Sequence, residues 1–421
     1  MLKKNLILLI MMIACVCHAQ QSLPINPPTI DETDLITPVN IKPLTFEEVA
    51  RKRGLLDEKP ARNIIILFGS GFLGETASIY RTLRQRKHEI NEMESMQIVL
   101  PTICAASERR QIDLISFLTG NGRVAGIVSD SEFDCSSACD FLRMKTTELF
   151  DRAKMALSLA DFTNEEERDK LVKKFSGRNI EYATNRRDLD RLFSGKAEKV
   201  VGCFKRNPLG AATVGDISQP YFDELVTATL SRLSVEKNGF LLLVGSKGAA
   251  KARDEGRFAD MLEHLKIQEK VMHQINYFVS GRKDTLVIIV EDLDAGSYSY
   301  RKDFKLADFV RSASEINKAA VDLVSNPDSL SQLKEKYDFL AGIDENTILD
   351  LVKAQDSRSI SVRFQQALAE KFSISFSAEG RMPGQAGFVA FSRGVGAGLL
   401  GGLMSYEDFI KRLSLITGLK Q

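Results

Sequence analysis

The stretch that most constrains the fold is Asn63–Gly74, Asn-Ile-Ile-Ile-Leu-Phe-Gly-Ser-Gly-Phe-Leu-Gly. Its short, unbroken apolar run (Ile64, Ile65, Ile66, Leu67, Phe68) predicts a strand buried on both faces, the pattern of parallel sheets. Gly69, Gly71 and Gly74 then let the backbone turn sharply and approach a neighbour closely. A helix pattern follows from Glu75 to about His88. Strand, turn and helix place Ser70 at the carboxyl end of a sheet strand, where open α/β folds keep their sites. The glycine spacing is also the G-x-G-x-x-G of a dinucleotide-binding turn. That reading asks for an acidic residue about twenty positions on, at the end of the second strand. The next strand pattern, Gln97–Leu100, ends in Pro101-Thr102 instead.

Further apolar runs predict strands at Val124–Val128, Lys199–Phe204, Phe240–Val244, Thr285–Val290 and Phe388–Phe391. Between them, helices are predicted at Glu148–Ala160, Tyr221–Leu233, Gly256–Val279 and Leu306–Asn326, then a polar helical section to about Lys371 and a last helix near Tyr406–Ile416. Alternating strands and helices imply an α/β fold, a mostly parallel sheet covered on both faces in three α/β/α layers. A capping box at Thr45-Phe46-Glu47-Glu48 opens a helix through about Leu56. No internal linker interrupts the chain from there, so residues 45–421 read as one domain. At 421 residues and 44% hydrophobic, the chain can bury the large core this requires.

The amino terminus reads differently. Lys3 and Lys4 precede the apolar run Leu6–Cys17, and Cys17-His18-Ala19 resembles a small-x-small cleavage site. Residues 1–19 are therefore read as a signal peptide, too short to be a spanning helix, and the mature protein as secreted or periplasmic. Lipid attachment at Cys15, after Met12-Ile13-Ala14, is the alternative. Residues 20–44 carry Pro24, Pro27, Pro28, Pro38 and Pro43 and form an extended lead-in. With 57 basic and 56 acidic residues the net charge is +1, which points to no nucleic-acid or membrane-surface partner; homo-oligomerisation is left open. Cys104, Cys135, Cys139 and Cys203 allow two disulfides or buried thiols.

Several segments, in order, resemble the alkaline phosphatase family. The opening strand and turn resemble Asn-Ile-Ile followed by Gly-Asp-Gly-Met-Gly, and Val124–Val128 resembles Ala-Thr-Gly-Leu-Val. Val200–Phe204 resembles Leu-Leu-Gly-Leu-Phe, Lys237–Val244 resembles Lys-x-Gly-Phe-Phe-Leu-Met-Val, and Asp284–Val290 resembles Asp-Thr-Leu-Val-Ile-Val-Thr. The resemblance implies an alkaline-phosphatase-like fold and chemistry in which two zinc ions and a magnesium activate a serine nucleophile on a phosphomonoester.

On the same resemblance, this chain departs from the ligand pattern nearly everywhere. Ser70 stands for the aspartate of the opening loop. After Val244, Gly245 stands for a glutamate, Ala250 for an aspartate and Lys251 for a histidine, while Asp254 keeps an oxygen ligand at the last position. In Glu291-Asp292-Leu293-Asp294, Asp292 survives and Leu293 replaces a zinc-binding histidine. The late Gly-His-Thr falls at Gly380-Arg381-Met382. The nucleophile segment corresponds to Thr102–Ala106 and puts Cys104 where serine belongs. Glu132 replaces the phosphate-gripping arginine, and Asp134 a magnesium-binding threonine. His88, His264 and His273 lie on predicted helices and read as surface or half-buried residues away from strand ends.

Three functions follow as expectations. The first is a secreted alkaline-phosphatase-like pseudoenzyme without resident zinc or magnesium. The second is residual phosphoric-ester hydrolysis through Cys104 and a reduced metal site at Asp134, Asp254, Asp292 and Asp294, with Lys247, Lys251 and Arg253 lowering the thiol pKa. The third is dinucleotide binding at Gly69–Gly74.

Overall fold

Each apolar run becomes a strand of a single sheet, because its side chains are covered from both sides. The computed structural model describes residues 46–52, 54, 59–69, 95–100, 117–130, 153–160, 180–194, 198–205, 218–291, 297–299, 306–337, 340–341, 344–353, 357–372, 375–377 and 388–419. All lie in one unit, Phe46–Gln421. In chain order the elements begin with α1 (Phe46–Lys52), β1 (Asn63–Gly69), β2 (Ser95–Leu100), β3 (Val124–Ser129), β4 (Ala153–Ala160), β5 (Ile180–Ala183), α2 (Arg186–Ser194) and β6 (Lys199–Lys205). The middle of the chain forms α3 (Phe222–Leu233), β7 (Phe240–Ser246), α4 (Gly248–Asp254), α5 (Phe258–Val279), β8 (Thr285–Glu291) and β9 (Ser297–Ser299). Then come α6 (Leu306–Ser325), α7 (Leu330–Lys336), α8 (Glu345–Lys353), α9 (Ser357–Phe372), β10 (Ser375–Ser377), β11 (Phe388–Gly394), β12 (Gly402–Ser405) and α10 (Tyr406–Thr417).

Ten strands form the main sheet, in the order β12-β2-β11-β8-β1-β7-β3-β4-β6-β5, while β9 and β10 pair separately. The pairing is parallel except at β11, which runs antiparallel to both β2 and β8. This is the three-layer α/β architecture expected, with one reversed strand. The first strand sits at the centre, between β7 and β8. In the dinucleotide fold, strands one and two are neighbours; here β11 and β8 separate them.

Alternation along β1 explains why its run is unbroken. Ile64, Ile66 and Phe68 pack on one face with Leu241, Leu243, Ile288 and the α10 residues Phe409 and Leu413. Ile65 and Leu67 pack on the other with Leu242, Val287 and residues of α3 and α5 such as Leu225 and Ile275. Removing one such side chain from water contributes about 1.5–3 kcal/mol, so a polar residue on either face would be selected against equally. A third apolar cluster joins α4 and α5 to α6–α9, around Phe258, Phe309, Ile316 and Phe364. It accounts for the helical section predicted between the last strands.

Two sequence readings are corrected. The helix predicted over Glu148–Ala160 is, over its described part, strand β4, paired in parallel with β3 and β6. Its alanines and leucines favour a helix locally. Burial of Met155, Leu157 and Leu159 between two neighbouring strands overrides that preference. The second correction concerns His264, placed below. The short elements β5 and α2 lie where the sequence reading placed no element.

Candidate functional site

The carboxyl ends of β1, β3, β7 and β8 meet along one rim. Register sets Gly69 beside both Ser246 and Glu291, and Ser129 beside Gly245. Ser129, Asp130, Ser246 and Glu291 are all buried there. Polar groups collect here because each strand body ends at these residues, and α4 and α5 bring Gly248 and His264 to Asp130.

Asp130, 3% exposed, is the centre of this rim. Its Oδ1 accepts the backbone N–H of Lys247 at 2.9 Å and that of Gly248 at 3.2 Å. Its Oδ2 lies 3.1 Å from the Gly248 nitrogen and accepts the Ser246 hydroxyl at 3.2 Å. The Asp130 N–H in turn donates to the Gly245 carbonyl at 3.0 Å. His264, on α5, brings Nδ1 to 3.8 Å from Oδ2. It is itself 3% exposed, so the reading of His264 as a surface or half-buried residue away from strand ends is wrong. His264 shares a face with Met261, Leu265, Gln268 and Val271, the buried stripe of α5. That spacing was visible in the sequence, and would have placed it inward. His273 on the same helix is exposed.

The other proposed site residues divide into two groups. Gly245, Ala250, Lys251 and Asp254 are described: Gly245 supplies no side chain at the rim, and Lys251 and Asp254 are exposed on α4. The Asp254 carboxylate receives the Arg253 guanidinium at 3.0 Å. A Cβ at Gly245 would meet nothing nearer than the Ser129 Oγ at 3.4 Å, so the backbone there does admit a side chain. Ser70, Cys104, Glu132, Asp134, Asp292, Leu293 and Asp294 lie outside the described residues, as do Cys15, Cys135, Cys139 and His88. Cys203 is buried on β6 as a thiol, not in a disulfide.

Electrostatics away from the rim are structural. Arg257 precedes α5 between Glu255 and Asp260. Burial opposes its charge, but Asp260 and Glu255 together outweigh that and hold its pKa above the ordinary value. Arg123, at the amino end of β3, is pulled below its ordinary value by burial. Asp223, in the first turn of α3, is raised by burial, against the pull of Lys270.

A family model described as alkaline phosphatase matches residues 147–369, more than half of the chain. The chain belongs to the alkaline phosphatase family. No curated protein matches it. Among solved structures, the alkaline phosphatase of Thermus thermophilus aligns with 17% identity and a TM-score of 0.59, covering 86% of this chain and 93% of that one. The cold-active alkaline phosphatase of a psychrophilic Shewanella aligns with 16% identity and a TM-score of 0.61, over 84% and 99%. That of the Antarctic bacterium TAB5 gives 10% and 0.51, over 86% and 99%. At these identities the likeness is one of fold.

Zinc asks for histidine or carboxylate donors and magnesium for oxygens, grouped around one point. Among the described residues, no group of three or more His, Cys, Asp and Glu could hold a metal ion. Of the described rim carboxylates, Asp130 already accepts the hydrogen bonds given above, and Glu291 ends β8 beside Gly69. No described helix is long and apolar enough to cross a membrane.

Proposed function

We propose that this alkaline phosphatase family member is exported, has lost metal-dependent phosphomonoester hydrolysis and works as a binding or structural protein. The observation that carries the reading is the rim after β7. There Gly245 offers no ligand, and the next helix presents Ala250 and the exposed cation Lys251. A lysine repels a divalent ion at the place where, on the family resemblance, a histidine would bind it. Full zinc ligand sets are worth on the order of 10–16 kcal/mol, of which a single exposed carboxylate such as Asp254 supplies a small part. Export rests on Lys3, Lys4, the apolar run and the site at Ala19.

The test is metal analysis of the purified mature protein together with a phosphomonoesterase assay, with and without added zinc and magnesium. The expected result is no stoichiometric zinc and no turnover above buffer. Two tightly held zinc ions, or turnover abolished by a chelator, would overturn the reading. Turnover insensitive to chelators but lost in Cys104→Ser would favour the nucleophilic thiol instead. N-terminal sequencing should begin at Gln20, or find lipid on Cys15; an intact Met1 on the mature protein would refute export.

A further inference from the structure

The turn between β7 and α4 is tied down by protein groups from four different elements. Asp130 comes from the end of β3, Ser246 from the end of β7, Lys247 and Gly248 from the turn and the start of α4, and His264 from α5. Burying a carboxylate costs several kcal/mol unless it is well hydrogen-bonded. Here both oxygens face donors of this one turn, at 2.9–3.2 Å. Such charge-assisted bonds are about twice as strong as neutral ones.

Gly248 is the second half of the arrangement. A Cβ at this position would stand 2.1 Å from His264 Cε1 and 2.2 Å from its Nδ1. No contact that short survives between real atoms, and the ring is too enclosed to step aside. The imidazole therefore comes beside the carboxylate only because residue 248 has no side chain. Two residues 134 positions apart by number, Asp130 and His264, are thus linked through a glycine belonging to neither segment.

We propose that Asp130, Ser246, Gly248 and His264 form a metal-independent clasp that sets the conformation of the β7–α4 turn. The carboxylate supplies the fixed negative charge that the turn's N–H groups require. The imidazole closes the space over it, and no divalent ion takes part. The proposal extends the functional reading above, but stands on separate geometry.

Hydrogen exchange at the Lys247 and Gly248 amides, combined with thermal melts with and without chelator, tests it. In Asp130→Ala these two amides should exchange about tenfold faster or more, since a bond to a charged acceptor is lost. Asp130→Asn, which keeps shape and one acceptor oxygen, should show a smaller rise and serves if the alanine variant does not fold. Gly248→Ala should lower the melting temperature, and His264→Ala in the same chain should restore part of the loss. Chelator should leave the parent protein's melt and exchange unchanged. Parent-like exchange in both Asp130 variants would overturn the clasp, as would strictly additive effects of Gly248→Ala and His264→Ala. So would a chelator effect on the parent as large as that of Asp130→Ala. Phosphomonoester turnover would overturn the functional reading while leaving these outcomes as they are.

Discussion

The two ends of β3 carry buried charges of opposite sign. At the amino end Arg123 donates to the carbonyls of Ala61, Arg62 and Thr417 at 2.7, 2.9 and 3.1 Å. At the carboxyl end Asp130 collects N–H groups and a hydroxyl, as described. The signs follow from parallel pairing and the chain's route. Segments gathering below the strand present carbonyls, such as the last turn of α10, whereas the turn above it presents amides. The difference lies in what else is present. Arg123 joins the residues that lead into β1 to the C-terminal helix through backbone carbonyls. Asp130 has a titratable neighbour, His264, and stands on the rim where open α/β folds place chemistry. One end is a fastening. The other is a fastening at the position where a site would be.

Substitutions can break this comparison, beginning with the largest effect. Arg123→Leu takes the donor from three carbonyls, of which those of Ala61 and Thr417 are in buried bonds. Each buried one costs about 1–3 kcal/mol before water or relaxation compensates. A loss of about 3 kcal/mol or more is expected in urea denaturation. Arg123→Lys should recover little of it, because an ammonium cannot reproduce the planar fork. A loss below about 1 kcal/mol would show that the amino end is not held by this residue.

Next is Gly239→Ala, also at the amino end of the sheet. Gly239 has φ +82°, and a Cβ there would stand 2.2 Å from the Arg62 carbonyl oxygen. Strain of this kind costs about 1–3 kcal/mol, readable in the same denaturation experiment. A neutral result would mean that Arg62 and Gly239 can separate freely, weakening the amino-end half of the comparison.

At the rim, Ser246→Ala removes one hydrogen bond to a buried carboxylate that keeps its backbone donors. The expected loss is about 1–2 kcal/mol. A loss equal to that of Arg123→Leu would make the two ends equivalent in strength, contrary to the dominance of backbone amides at Asp130. The smallest effect is expected for Lys251→Ala, within about 0.5 kcal/mol as for other exposed positions. A larger change in melting temperature, or the appearance of metal binding in this variant, would assign Lys251 a part in the rim that its exposure does not suggest.

Much of the fold was legible from residue patterns. The runs at Ile64–Phe68, Phe240–Val244 and Thr285–Val290 are apolar at every position because both sheet faces are covered, and this can be read without coordinates. The family followed from such runs standing in order. β4 was not legible, since Ala153–Ala160 has helix-forming residues and becomes a strand only between β3 and β6. At the rim the sequence shows Gly245, Ala250 and Lys251 after Val244, but nothing in it shows that Asp130 and His264 meet there.

Asp130 shows where that boundary lies. By itself the sequence determined that an aspartate follows a buried strand, and it carries the helical spacing that turns residue 264 inward, although His264 reads there as a surface or half-buried residue. Both facts depend on local periodicity, which a single chain records. Only the tertiary structure decided that these residues meet over Gly248, 118 positions from Asp130. A carboxylate is stable in that place because of donors contributed by a different strand end. Which donors arrive depends on strand order and register, and no local pattern encodes those.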